Sequence, residues 1–409
     1  MTPATTRASL EFTPDSPQGI FINRAPSVAW HQRRPEEIDA SLFRAVLEGV
    51  GVRGDASARR QLGLSFILSY LNGDRAVLTE TVQRLLSLSE QLDVPLLLAL
   101  DGQNWWDGRP DLWNWWDPKQ PGFDPRNVEN VEWTDPGPEH AVKVCWRNWG
   151  RQLRVRPAPN LMSPRFREAS RVELEHFAAL IKAWAHKLPA SKRRLFPGIK
   201  IGWEASIGIN AFHYPNGNHY FETSPDDESA DPKYGHDMKK DFAAGLVPLG
   251  YSALASEALK PKNHRVTLAD HERIVANYLQ FLATTCRGVG YAPDQLFLHS
   301  GGQYAPWELH YSHKVPITPD GVPGYSLYNK TADEAGDLGT SLEAAGRSDW
   351  CVAEWLTHAK TADGWKTDLN RSLNFRHCRS LTIYNWENVS TQPHAVEGIR
   401  QALAEAPRS

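Results

Sequence analysis

Residues 62–100 read LGLSFILSYLNGDRAVLTETVQRLLSLSEQLDVPLLLAL, and the reading of this stretch decides the fold. Its ends, LGLSFILSYL (62–71) and VPLLLAL (94–100), are short and almost unbroken apolar runs. A strand has this composition when both of its faces are covered, because neither side meets water. Between them, LTETVQRLLSLSEQL repeats apolar residues at three- and four-residue spacing, as an amphipathic helix does. Strand, helix and strand in that order make a parallel crossover unit, the building block of α/β folds.

Working outward from this unit, the alternation continues. Further apolar runs occur at GIKIGWE (198–204), DQLFLHS (294–300), DWCVAEW (349–355) and SLTIYNW (380–386), and GIFIN or PSVAWH near residues 19–31 supplies a first strand. Helical periodicity appears in PEEIDASLFRAVLEGV, RVELEHFAALIKAWAHKL, LADHERIVANYLQFLATTC, TADEAGDLGTSLEAA and HAVEGIRQALAEA. These seven strands predict an α/β protein with the (β/α)8 TIM-barrel architecture, the eighth strand being expected inside 205–265. An open doubly wound sheet is the alternative. Two connections, about 101–162 and 205–266, are far longer than ordinary βα loops, and both follow the carboxyl end of a strand. The expected organisation is one catalytic barrel domain over 1–409 with these two insertions on the face where barrels carry their sites.

Composition narrows the function. The 409 residues are 41% hydrophobic and 23% charged with a formal net charge of -3, which supplies a core but no basic field for nucleic acid. No apolar run approaches a membrane span, so neither nucleic acid nor membrane is an expected partner. The amino terminus, MTPATTRASLEFTPDSPQG, lacks the apolar stretch of a secretory signal, which favours a cytoplasmic protein or a chain already trimmed. The four cysteines are scattered without CxxC spacing, and are expected as buried free thiols. The HYSH pair, His310 and His313, lacks the companions of a zinc site, and no GxSxG elbow or phosphate loop is present, so no cofactor is expected. TSPDDESADPKYG (223–235) reads as a surface excursion, with a calcium loop as the minor alternative. Loops of this size on a barrel face also leave a homo-oligomer open.

Sixteen tryptophans and twelve tyrosines are a heavy aromatic load, and Trp105, Trp106, Trp113, Trp115, Trp116, Trp133, Trp146 and Trp149 crowd one stretch. Each buried indole needs a partner for its N–H, so some of these rings are expected to face a ligand. The ends of the strands contribute polar groups to one mouth: Asp101, Glu204, His299, Glu354, Asn385 and Glu387. A carboxylate at the end of a buried strand is costly unless it is paired or working. Glu204, in IKIGWEASIG, and Glu354, in DWCVAEWLTH, each stand beside a tryptophan, Trp203 and Trp355, whose apolar surface would raise a carboxyl pKa. Two such carboxyls with aromatic faces around them match the needs of glycosidic bond hydrolysis, one as acid and one as nucleophile or stabiliser. Asn104, Trp105, Trp106, Tyr304 and Trp386 complete the candidate contacts to a carbohydrate, and His213, Tyr214, Tyr220, Gln303 and Trp307 lie in loops on the same side.

This placement resembles the clan A glycoside hydrolases, retaining enzymes whose acid/base glutamate closes the fourth barrel strand and whose nucleophile closes the seventh. Glu204 in GWEAS resembles the former, Glu354 in VAEW the latter, and SLTIYNWEN an eighth strand with Trp386 as the floor of the sugar site. Trp203 stands where the clan usually carries Asn. The resemblance implies a retaining glycosidase acting on a glycan or oligosaccharide. The rival readings are a barrel that binds carbohydrate without cleaving it, and a hydrolase that uses Glu387 or Asp101 as its second carboxylate.

Overall fold

The computed structural model describes residues 17–25, 35–54, 58–143, 145–148, 152–207, 249–259, 265–301 and 311–405. Ten strands are found among them: β1 (Gln18–Asn23), β2 (Arg60–Ser69), β3 (Leu96–Asp101), β4 (Cys145–Asn148), β5 (Gln152–Val155), β6 (Ile199–Ala205), β7 (Leu296–Ser300), β8 (Gly324–Tyr328), β9 (Asp349–Leu356) and β10 (His377–Ile383). Eight of them close into a barrel in the order β1-β10-β9-β8-β7-β6-β3-β2, and β4 and β5 form a separate antiparallel hairpin. All pairings around the barrel are parallel. The open-sheet alternative is thereby excluded, and the barrel expectation is met.

The eighth strand is not where the sequence reading put it. It is β8, GYSLY, between β7 and β9. A five-residue run with Gly, Ser and two Tyr has too little aliphatic content to stand out beside LLLAL. GIFIN supplies the first strand, and the alternative PSVAWH lies outside the described residues.

The helices are α1 (Ala40–Val50), α2 (Arg75–Leu92), the short α3 (Pro110–Trp113), α4 (Pro164–Lys187), the short α5 (Tyr251–Ser256), α6 (Leu268–Gly288), α7 (Leu338–Ala344), α8 (Ala362–Asn374), the short α9 (Trp386–Val389) and α10 (Pro393–Leu403). Their starts follow local chemistry. Asp74 accepts from the amides of Ala76 and Val77 at the head of α2, and Thr267 and Asp270 form a reciprocal capping box on α6. Helix α8 was not anticipated. Its buried stripe is only Trp365, Leu369 and Leu373 with Ser372, one residue wide in an otherwise polar segment.

Two apolar clusters fill the barrel. Phe21, Leu97, Phe297, Val322, Cys351 and Ala353 pack together nearer the amino ends of the strands, and Ile67, Ala99 and Trp203 nearer the carboxyl ends. Phe21 occupies the first because its neighbours have no side chains: a Cβ on Gly63 would lie 2.4 Å from the Phe21 ring and 2.9 Å from the Pro95 carbonyl. The larger core lies outside the barrel, between strands and helices. Among the described residues no helix is long and apolar enough to cross a membrane.

The Phe21 packing can be tested. Gly63→Ala should lower stability by about 1–3 kcal/mol through overpacking, and Phe21→Leu in the same chain should recover part of that loss. Urea unfolding of the single and double variants measures the coupling. Strictly additive effects would show that Gly63 and Phe21 do not compete for the same space.

Candidate active site

In the order of the barrel β6 is the fourth strand and β9 the seventh, so Glu204 and Glu354 close the strands on which the clan resemblance expects its two carboxyls. The route to Glu204 is a distorted strand end. Gly202 and Glu204 both take positive φ, 76° and 48°, and the pairing of β6 with β7 shifts register between Ile201 and Ala205. A left-handed glutamate costs roughly 1–3 kcal/mol, and such residues persist where neighbours hold them. Here Gly301 leaves the room: a Cβ on it would sit 2.5 Å from the Glu204 carbonyl oxygen. Beyond the distortion the sheet resumes, with the Gly301 amide donating to the Ala205 carbonyl.

Both glutamates are buried, at 5% and 2% exposure. One oxygen of each and one ring nitrogen of His299 lie within 4.8 Å of one another. Glu354 is held by two donors, the Trp203 indole N–H to Oε1 at 2.7 Å and the Tyr328 hydroxyl to Oε2 at 2.5 Å. Glu204 accepts from the Ser326 hydroxyl at 2.7 Å, and Ser326 in turn meets His299 Nε2 at 2.8 Å. Beneath them Lys200, four residues before Glu204 on the same strand, is buried and donates to the Ala353 carbonyl at 2.9 Å. Two carboxyls and an imidazole are also a possible ligand set for a metal ion. The donors on Glu354 and Glu204 leave lone pairs on both carboxylates, so these hydrogen bonds fit a proton-handling pair and an ion cradle alike.

The electrostatics follow from burial. Desolvation first, and the negative charge of Glu204 second, push the Glu354 carboxyl above the ordinary glutamate range, against the opposing pull of Lys200 and of its two donors. Burial lowers Lys200 despite the nearby Glu354, Cys351 and Glu204. Burial, with Lys200 adding to it, holds His299 well below the usual histidine range, so the ring is neutral. The two carboxyls lie close enough for the charge of Glu204 to oppose a charge on Glu354.

Other candidates fall into three groups. Asp101 and Asn104 stay at the mouth as braces. Asp101 accepts from Ser69 Oγ at 2.9 Å and from the amides of Gln103 and Asn104, while Asn104 Nδ2 donates to the Trp203 carbonyl at 2.5 Å, tying β3 to β6. Trp105, half-buried, packs with Tyr384 on the Ile67, Ala99 and Trp203 cluster, so an indole and a phenol flank the opening. Asn385 caps α9 through the Asn388 amide.

A second group turns away from the mouth, correcting the sequence reading. Trp106 is buried, its N–H on the Pro157 carbonyl and its ring edge-on to Phe166. Trp355 is buried on the helix side of the barrel, edge-on to Trp365 at 5.3 Å. Trp386 packs against α1, where a Cβ on Gly49 would come within 2.6 Å of its ring. Because successive strand residues point to opposite faces, the neighbour of an inward residue faces out. Glu387 is paired with Arg24 at 2.8 Å and accepts the Ala25 amide, and so anchors the end of β1. His313 is bonded to Asp337. Tyr304, with His213, Tyr214, Tyr220, Gln303, Trp307, His310 and segment 223–235, lies outside the described residues.

The third group was not read from the sequence: Tyr328, Ser326, Lys200 and Tyr384. Tyr328 and Ser326 sit on β8, whose mixed composition carries no strand signal in the sequence. Lys200 was the visible signal, since a lysine inside the run GIKIGWE faces the barrel interior once the run is a strand.

No protein-family profile and no curated protein matches this chain. Solved structures similar to it include an endogalactoceramidase, 11% identical over 95% of this chain and 74% of that one, with a TM-score of 0.41. GH26A from Muricauda sp. is 9% identical, with a TM-score of 0.43 over 95% and 90% of the two chains. A ruminal GH26 endo-beta-1,4-mannanase is 9% identical, with a TM-score of 0.44; 96% of this chain spans 64% of the mannanase. The fold stands on the strand order itself.

The buried pair makes a stability prediction. A carboxyl whose folded pKa lies above its unfolded value stabilises the fold at low pH, and that contribution is lost as pH rises from the ordinary glutamate range toward the folded value. Glu354→Gln should therefore unfold at a higher temperature than the parent at pH 8, with the gain shrinking toward pH 5. A gain independent of pH, or a loss at pH 8, would mean that the carboxyl is not under electrostatic stress.

Proposed function

We propose that the protein is a retaining glycoside hydrolase with Glu204 as acid/base and Glu354 as nucleophile. The observation that carries this reading is the approach of the two buried carboxyls to within 4.8 Å at the ends of the fourth and seventh barrel strands. Retaining enzymes keep their carboxyls about 5–5.5 Å apart and inverting ones about 6.5–9.5 Å, because the latter must admit a water. The pair's hydrogen bonds favour one division of labour. Trp203 and Tyr328 both donate to Glu354 and so orient both of its oxygens, as a fixed nucleophile requires, while burial and the charge of Glu204 raise its carboxyl.

In the first step the Glu354 carboxylate attacks the anomeric carbon, and the bond to the leaving oxygen breaks as Glu204 delivers its proton to that oxygen. In the second, Glu204 takes a proton from water, the resulting oxygen attacks the same carbon, and the ester to Glu354 breaks. Two inversions retain the configuration. Trp105 and Tyr384, half-buried at the opening, offer faces for the C–H surfaces of a sugar. The same aromatics would serve a barrel that only binds glycans, but such a barrel has no use for a second buried carboxyl against the first.

A panel of nitrophenyl glycosides and natural oligosaccharides, followed by NMR at early times, tests the reading. Hydrolysis with retained anomeric configuration is expected. Glu354→Gln should abolish turnover on every substrate, whereas Glu204→Gln should spare the first step for good leaving groups and lose on the order of 10²–10⁴-fold on poor ones. Inverted product, or full activity in Glu354→Gln, would contradict it.

A further inference from the structure

Resting on the assignment of Glu204 as the acid/base, we propose that His299 and Ser326 form a fixed donor chain that positions Glu204 and decides which of its oxygens carries the acid proton. The chain is contiguous and buried: His299 Nε2 to Ser326 Oγ at 2.8 Å, and Ser326 Oγ to Glu204 Oε1 at 2.7 Å, with His299 and Ser326 both 0% exposed. It crosses three neighbouring strands, β7, β8 and β6, so its geometry is set by the barrel and not by a loop.

The direction of the chain follows from what each atom has to offer. The Ser326 hydroxyl donates to Glu204 Oε1, an oxygen that accepts both in the carboxylate and in an acid whose proton sits on Oε2. That leaves the serine oxygen as an acceptor, and the group facing it is His299 Nε2, which must therefore carry the ring's proton. A neutral ring with its hydrogen on Nε2 has a bare Nδ1, and among the described residues Nδ1 has no hydrogen-bond partner. The ring is also kept from becoming an imidazolium. Burial opposes the charge, and so does Lys200, the cationic group facing it from β6, against the carboxyls of Glu204 on β6 and Glu354 on β9 that lie within 4.8 Å of the ring and favour it. Lys200 is in turn answered by Glu354 and Cys351 on β9 and by Glu204 on its own strand. His299 is thus a permanent one-way donor through pH changes that would switch an exposed histidine.

The consequence falls on Glu204. With Oε1 occupied by the serine hydroxyl, the proton of the acid form belongs on Oε2. The carboxyl plane is pinned as well, so Oε2 keeps one orientation toward the leaving oxygen. Ser326 and His299 are positioning residues in this scheme, since neither touches the substrate.

Two measurements test the chain. The first is nitrogen NMR of His299 in the parent protein, which needs no substrate: the proton should reside on Nε2 and stay there from pH 5 to pH 8. A proton on Nδ1, or titration of the ring in that range, overturns the proposal. The second compares 4-nitrophenyl and 2,4-dinitrophenyl glycosides of the sugar that the panel selects. Ser326→Ala should lose roughly tenfold or more in kcat on the poorer leaving group and little on the activated one, with KM nearly unchanged, and Ser326→Thr, which keeps the hydroxyl, should restore most of the loss. Equal losses on both substrates with no rescue by threonine would overturn the chain if Glu204→Gln still discriminates between them. If Glu204→Gln itself does not discriminate, the acid assignment fails and the chain fails with it.

Discussion

The repulsion between two carboxyls buried within 4.8 Å of each other is the constraint on which the rest of the site depends. In so dry a place the two charges oppose each other, and burial together with the charge of Glu204 raises the Glu354 carboxyl. Among the described residues, several polar groups answer that stress. Trp203 and Tyr328 satisfy both oxygens of Glu354, Ser326 satisfies one of Glu204, and Lys200 sets a positive charge below. Both oxygens of Glu354 are held by donors from β6 and β8, and Glu204 is held by Ser326 of β8.

A barrel is well suited to holding such a pair. The fourth and seventh strands are not sheet neighbours, so their terminal side chains meet across the interior with no backbone between them. The strand carrying Glu204 must turn inward to complete the approach, which it does through the positive φ of Gly202 and Glu204 and the space that Gly301 leaves. The local strain is absorbed by the sheet, since the register of β6 with β7 is regular up to Ile201 and resumes at Ala205. Rigid elements hold the chemistry to within the tolerance that it needs.

The legible parts of the sequence were those with a period. LLLAL and FILS announce covered strands, and α2 and α6 announce themselves by their stripes. The two glutamates were found because each is the lone carboxylate at the end of an apolar run. What escaped had no such contrast. β8 is five residues of mixed character, and with it went Tyr328 and Ser326, the partners of both glutamates. The aromatic residues divided unevenly for a related reason. Strand alternation puts Trp355 outside when Glu354 is inside, and at the end of β10 the residue at the opening is Tyr384, not Trp386. Trp203 was read as an apolar neighbour that raises a carboxyl pKa, whereas its N–H favours the anion of Glu354. The raised value comes from burial and from Glu204 instead.

The central claim is that Glu354 attacks the anomeric carbon, and covalent trapping tests it most directly. A 2-fluoro glycoside with an activated leaving group, matched to the sugar that the protein hydrolyses, forms the ester and slows its breakdown. Intact mass should then rise by one fluorosugar per chain, and peptide mapping should place the addition on Glu354. Labelling of Glu204 or of any other side chain, or turnover of the substrate to inverted product with no adduct at any time, would contradict the account.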